Sequence, residues 1–258
     1  MTTLERIIDS IPARGLEHTL SDHARTTLSL GKTAMEFTSV KRIPRLHTGE
    51  REDNAQHSFM VGLIAPQLAI LLNEAKGYTL NPAVMPAYAQ AHDLIELIVG
   101  DQPTFNLTRQ QLKEKQDREH EAIDELCDRI GPYWASIVRE YEEQQIPETR
   151  FVRAIDKAAP AIVDIYGQGD RTVSEDYDVR TKQELMANHI RNMRSLRERF
   201  PDYPEVIDIC EELFRLFDTV SSLPIQPHHS EVIRFCFSPE DNEMQPYGTS
   251  GIPRKQLF

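Results

Sequence analysis

Three stretches of this chain carry apolar residues at helical spacing, and each holds a side chain that does not belong in a core. In residues 54–73, His57, Met60, Val61, Ile64, Leu68 and Leu71 recur at three- and four-residue steps. Between Pro82 and Val99 the stripe is Met85, Tyr88, His92, Ile95 and Val99, with Asp93 beside the histidine. In residues 148–167 it is Val152, Ile155, Ala159, Ile162, Val163 and Tyr166, with Asp156 among them. Burying an unpaired charge costs several kcal/mol, so these polar groups need water or a cation as partner. The pattern calls for packed helices with a polar point at their centre.

The second stripe is the densest in such groups. Glu96 follows His92 by four residues and Asp93 by three, which places it on their side of one helix. Gly100 ends that helix and Asp101 lies just past it.

The rest of the chain also reads as helical, with no alternating runs of a real sheet and no long repeat. Residues 1–17 suit a short amphipathic helix, and 19–30 a second short or irregular piece. Residues 41–53 read as a charged loop, with Lys41, Arg42, Arg45, His47 and Arg51 as a basic cluster. Asn54 suits an N-cap, and Pro66 is expected to kink the helix it opens. Residues 74–83 make a linker. A charged helix spans 109–129 and another 132–145, 168–178 form a polar loop, and further helices span about 180–199 and 204–220. Residues 222–258, with Pro224, Pro227, Pro239, Pro246 and Pro253, read as an irregular tail. His18 with His23, and His228 with His229, read as solvated histidines.

Charge narrows the function. The 258 residues hold 41 acidic and 29 basic side chains, a net charge of −12, which argues against binding a nucleic-acid polymer. A small anionic substrate needs only a local group of cations. Cys127, Cys210 and Cys236 are far apart and odd in number, so neither a disulfide framework nor a thiolate metal site is expected. The N-terminus lacks the layout of a signal peptide. The apolar run from Phe59 to Leu72 is too short to span a bilayer. The expectation is a cytoplasmic protein without a membrane partner.

Two imidazoles and two carboxylates, from His57, His92, Asp93 and Asp156, suit a divalent ion such as Zn, Co, Mn or Fe. Four protein ligands leave two positions of an octahedron for water and a substrate oxygen, the mark of a catalytic site. Such an ion lowers the pKa of water toward ~7 and polarises a phosphoryl oxygen. Glu96 is placed to exchange a proton, Asp101 to protonate a leaving group or hold a water, and Arg42 to clamp phosphate oxygens.

The order H…HD…D on successive helices resembles the HD-domain metal-dependent phosphohydrolases, closest to the bacterial HD-domain 5′-deoxyribonucleotidases and their eukaryotic relatives. Arg42-Ile43-Pro44 followed by Asn54-Ala55-Gln56-His57-Ser58 is similar to that family's arginine-x-proline and histidine-serine boxes. His92-Asp93-x-x-Glu96-x-x-x-Gly100-Asp101-x-Pro103-Thr104 resembles its HD helix and the loop after it. Arg118-Glu119-x-Glu121-Ala122-Ile123 resembles the helix that follows, and Asp156-Lys157 the last metal-binding segment.

The resemblance implies an all-α HD-domain helical bundle over residues 38–170. An N-terminal helical extension (1–37) would precede it, and C-terminal helices with a Pro-rich tail (171–258) would pack on it. It implies His57, His92, Asp93 and Asp156 as ligands of one divalent ion (Co, Mn, Zn, Fe or Mg). Glu96 and Asp101 would be the acid–base residues, and Arg42, Ile43, Pro103 and Thr104 would bind substrate. Ile43 stands where those nucleotidases carry a tryptophan that shapes the sugar pocket, so deoxyribose selectivity does not carry over. The expected activity is a 5′-nucleotidase on (deoxy)nucleoside monophosphates. The alternatives are a deoxynucleoside triphosphate triphosphohydrolase of the same fold and a non-catalytic nucleotide-binding module. A homodimer is a candidate assembly.

Overall fold

Local capping chemistry sets the order of elements from the first described residues onward. The computed structural model describes residues 20–100 and 109–225. The expected helix over 1–17, His18, Asp101, Pro103, Thr104, the His228–His229 pair and most of the proline-rich tail lie outside them. Helix α1 (Asp22–Phe37) starts at Ser21, whose hydroxyl accepts the Ala24 N–H. It runs on past the short piece expected at 19–30.

Residues 41–53 are not a loop but an antiparallel hairpin of β1 (Lys41–Arg45) and β2 (Arg51–Asp53). The sequence hides it because its polar side chains are held by ion pairs rather than sorted into an apolar and a polar face. Lys41 pairs with Asp53 across the strands at 3.2 Å. Gly49 provides the positive φ of 86° in the turn.

Helix α2 (Asn54–Lys76) is capped by Asp53, not by Asn54. The Asp53 carboxylate accepts the Gln56 N–H at 2.9 Å, and Gln56 Oε1 accepts the Asp53 N–H at 3.0 Å, a reciprocal capping box. With Asp53 as the cap, the Asn54 side chain is available to another partner. The helix continues through Pro66 and ends at Gly77. By length and composition the helix, with 23 residues, is long and apolar enough to cross a membrane, which Phe59–Leu72 alone did not suggest. Val61, Ala65, Ala69 and Leu72 nevertheless belong to the interior of this fold. Leu71, expected on the inner stripe, is exposed, and so is Tyr166 further on.

The single helix expected from Pro82 to Val99 is split. Helix α3 (Met85–Ala91) is followed by a turn at 92–95 and then by the short α4 (Glu96–Val99). Across the break the backbone bonds tighten to three-residue spacing, with Leu94 N to Ala91 O and Glu96 N to Asp93 O. At three residues per turn, Glu96 is stacked on Asp93 rather than on His92.

Helix α5 (Arg109–Glu143) is interrupted at Gly131, with φ 77° and ψ 168°, so two helices meet there as expected before Pro132. Helix α6 (Pro147–Tyr166) carries Asp156. The expected loop at 168–178 contains α7 (Gly169–Asp176), and α8 (Lys182–Arg199) and α9 (Pro204–Val220) follow. The main core joins α2, α3, α6, α8 and α9 through Val61, Met85, Phe151, Val152, Met193 and Ile207. A second core sets Phe37, Leu94 and Ile95 against Leu126, Ile130 and Val138 of α5. Apart from the hairpin, the described fold is all-α.

Candidate metal centre

Three side chains from three helices meet where these cores join. His57 comes from the first turn of α2, His92 from the end of α3 and Asp156 from the middle of α6. All three are buried, and one nitrogen or oxygen from each lies within 4.8 Å of the others. His57 Nε2 is 2.9 Å from Asp156 Oδ1, and His92 Nε2 is 3.6 Å from the same oxygen. The second oxygen of Asp156 accepts a hydrogen bond from Lys157 Nζ at 2.6 Å.

Backbone packing orients His92. Its Nδ1 bonds to Ala89 O at 2.7 Å, which turns Nε2 toward the cluster. There Nε2 is buried with no hydrogen bond of good geometry, although Asp93 Oδ2 is 2.9 Å away. A buried ring nitrogen without a hydrogen bond, facing a second imidazole and a carboxylate, is a donor set that fits a divalent cation.

The electrostatics point the same way. Burial alone opposes charge on His92, but Asp93 and Asp156 outweigh it and push the imidazole up to about 10. Burial likewise opposes charge on Asp93 and Asp156. The His92 charge and Arg42 hold the Asp93 carboxyl well below the usual range, and Lys157 with the two histidines does so for Asp156. The cluster demands positive charge, which a proton on His92 or a metal ion can supply.

The other predicted residues arrange themselves around this centre. Asp93 flanks the three-residue cluster, and its Oδ2 is held by Arg42 Nη1 in a close ion pair. Of the expected basic group, Arg42 alone is directed here among the residues with described ion pairs. Lys41 pairs with Asp53, Arg45 with Glu175 and Asp176, and Arg51 with Asp176. Ile43 is half-buried next to Arg42 on β1. Glu96 is buried and accepts a hydrogen bond from Asn54 Nδ2 at 2.7 Å. Asn54 Oδ1 in turn lies 3.5 Å from Arg42 Nη1.

Two polar residues of the site escaped the sequence reading. Asn54 has the chemistry of a helix cap, and Glu52 lies inside a charged segment with no apolar pattern. Glu52 is fully buried, with Oε2 3.4 Å from His57 Nδ1 and 3.6 Å from Arg42 Nε. The usable signal was its place five residues before His57, at the end of the basic stretch.

Comparison with known proteins agrees with this geometry. Residues 37–197 match the HD-domain family model, and the chain belongs to that family. The match runs through α7 and most of α8. A Vibrio cholerae 5′-deoxynucleotidase is 30% identical over 117 residues, 42% of this chain and 60% of that protein. The Bos taurus 5′-deoxynucleotidase HDDC2 is 32% identical over 123 residues, 46% of this chain and 58% of that protein. The aligned stretch thus spans about three fifths of either relative. A solved structure from Magnetospirillum magnetotacticum, described as a predicted metal-dependent phosphohydrolase, shares the fold with a TM-score of 0.53. It is 18% identical and covers 78% of this chain and 95% of its own.

Proposed function

We propose that this protein is a metal-dependent phosphohydrolase acting on nucleotides, most simply a 5′-nucleotidase on (deoxy)nucleoside monophosphates. The observation that carries the reading is the buried His57–His92–Asp156 cluster with Arg42 and Glu96 beside it. The aligned relatives named 5′-deoxynucleotidase support the substrate class.

In this reading His57, His92, Asp93 and Asp156 hold one divalent ion. When bound, that ion supplies an acidified water and neutralises charge on a phosphoryl oxygen. Arg42 binds the non-bridging phosphate oxygens, exchanging its Asp93 partner for substrate in a charge-assisted contact. Glu96 holds or delivers a proton at its carboxylate, oriented by the Asn54 amide. Asp101 serves the leaving oxygen, and Ile43, Pro103 and Thr104 complete the pocket. The catalytic domain comprises residues 38–170, flanked by an N-terminal extension and by C-terminal helices and tail packed on it. The protein works in the cytoplasm as a homodimer, without nucleic-acid polymer or membrane.

The test is release of inorganic phosphate from a panel of ribo- and deoxynucleoside mono- and triphosphates with Co²⁺ or Mn²⁺. Phosphate from monophosphates is the expected result. Tripolyphosphate in the mass spectrum would instead identify a triphosphohydrolase. Intact metal binding with no turnover would leave a non-catalytic nucleotide-binding module.

A further inference from the structure

Glu52 is the least expected charge in the molecule. It is 2% exposed, on β2 directly before the α2 cap residue Asp53, and Oε2 makes no hydrogen bond. Its ion-pair neighbours are His57 Nδ1 at 3.4 Å and Arg42 Nε at 3.6 Å. His57 Nδ1 likewise has no hydrogen bond, and the His57 side chain is fully buried. The opposite nitrogen of the same ring, Nε2, faces Asp156 at 2.9 Å. One imidazole is therefore held between two carboxylates, one on the cluster side and one behind it.

Placement behind the ring has a chemical consequence. A histidine that binds a cation through Nε2 must carry its proton on Nδ1, and a carboxylate there fixes both tautomer and ring orientation. It also makes Nε2 a stronger donor. The capping box fixes where Glu52 sits. Asp53 is locked to Gln56, and Asn54 N donates to Val40 O at 3.1 Å, so the chain cannot slide at the β2–α2 junction.

We propose that Glu52 is a positioning residue for the metal centre: it accepts the Nδ1–H of His57, so that Nε2 is held as a metal donor. The proposal rests on the metal-dependent reading above. Glu52 touches neither substrate nor the ion and acts through His57. Its contact with Arg42 ties the phosphate-binding residue to the same anchor, so one buried carboxylate sets the spacing between metal and phosphate sites.

The experiment compares the full chain with Glu52→Gln and Glu52→Ala, titrated with Zn²⁺ in a calorimeter. The nitrogen-15 spectrum of the His57 ring is recorded in the Zn²⁺-loaded proteins. The expected result is a loss of roughly 10–100-fold in Zn²⁺ affinity in both variants. The wild-type Nδ1–H should give a downfield, slowly exchanging proton signal that moves upfield in Glu52→Gln. The isosteric Gln variant is expected to melt within a few degrees of wild type, which separates positioning from folding; should the Ala variant not fold, the Gln variant decides. Unchanged Zn²⁺ affinity and an unchanged Nδ1–H signal in Glu52→Gln overturn the proposal. A wild-type protein that binds no Zn²⁺, Mn²⁺ or Co²⁺ overturns the metal-dependent reading itself, and the proposal with it.

Discussion

Asn54 Nδ2 donates to Glu96 Oε2 across 2.7 Å, joining the first residue of α2 to the first residue of α4. Both residues are buried, and the Asn54 carbonyl faces the Arg42 guanidinium. This amide therefore sits between Arg42 and Glu96, the residues proposed to bind phosphate and to handle protons. Asn54→Ala is expected to lower kcat roughly tenfold or more while shifting the melting temperature by only a few degrees. Asn54→Asp places a second carboxylate beside Glu96, which favours the protonated form of the pair. The acidic limb of its pH–rate profile is expected to move to higher pH. Phosphate release measured across pH in all three proteins checks both outcomes.

Metal binding is expected to release protons. With no cation present, Asp93 and Asp156 hold His92 protonated up to about pH 10, so at neutral pH an incoming divalent ion must displace that proton. Affinity should rise with pH below that value, by up to roughly tenfold per unit. Calorimetric titration with Mn²⁺ in two buffers of different ionisation enthalpy should report close to one proton released. EDTA should abolish turnover, and added Mn²⁺ or Co²⁺ should restore it and raise the melting temperature. His92→Gln should remove the proton release and most of the affinity together.

Helix positions and the histidine–aspartate centre could be read from the sequence because both rest on local regularities. Apolar spacing marked α2, α6 and α9, and the two helices expected at 109–129 and 132–145 match the interruption of α5 at Gly131. His57, His92 and Asp156 stood out as polar residues on apolar stripes. What could not be read was set by partners far away in sequence. The hairpin is held by Arg45 and Arg51 pairing with Asp176, more than 120 residues later. Asn54 had the right chemistry for a cap and lost that role to Asp53, one residue earlier. Glu52 sits in a strand too short to show any periodicity. The tightening at 92–95 left no mark in the apolar pattern, because three- and four-residue spacings coincide over so few residues.

A second buried carboxylate controls stability rather than chemistry. Asp164, two turns beyond Asp156 on α6, has a buried Oδ1 with no hydrogen bond. Burial, with smaller contributions from Glu52 and Asp170, pushes its carboxyl up to about 7. An acid raised in this way keeps its proton in the folded state after the unfolded chain has lost it. The contribution of Asp164 to folding stability is therefore expected to fall as pH rises from about 4 to about 7 and to level off above that. Asp164→Asn removes the penalty. Its melting temperature should match wild type near pH 4 and exceed it by a few degrees at pH 8, in thermal denaturation followed by circular dichroism at each pH.

Gly167 is expected to matter for activity although it touches no ligand. It lies at the α6–α7 turn, directly against the hairpin that carries Arg42 and Glu52. Gln168 N donates to Arg45 O at 2.9 Å, and Arg45 N donates to Thr172 Oγ1 at 3.2 Å. A Cβ at position 167 would overlap the Arg45 carbonyl oxygen, which is backbone and cannot swing away as a side chain would. Either the turn or β1 must move, and β1 is the weaker element, since it pairs with a single three-residue strand. Gly167→Ala should therefore displace the hairpin, lower the melting temperature by several degrees and raise KM for the nucleotide as Arg42 shifts. Gly31→Ala, on α1 with open space around it, is the matched control: it should leave KM unchanged and hold or slightly raise the melting temperature, because alanine favours a helix interior. Equal KM values in the two variants would separate the turn from the phosphate site.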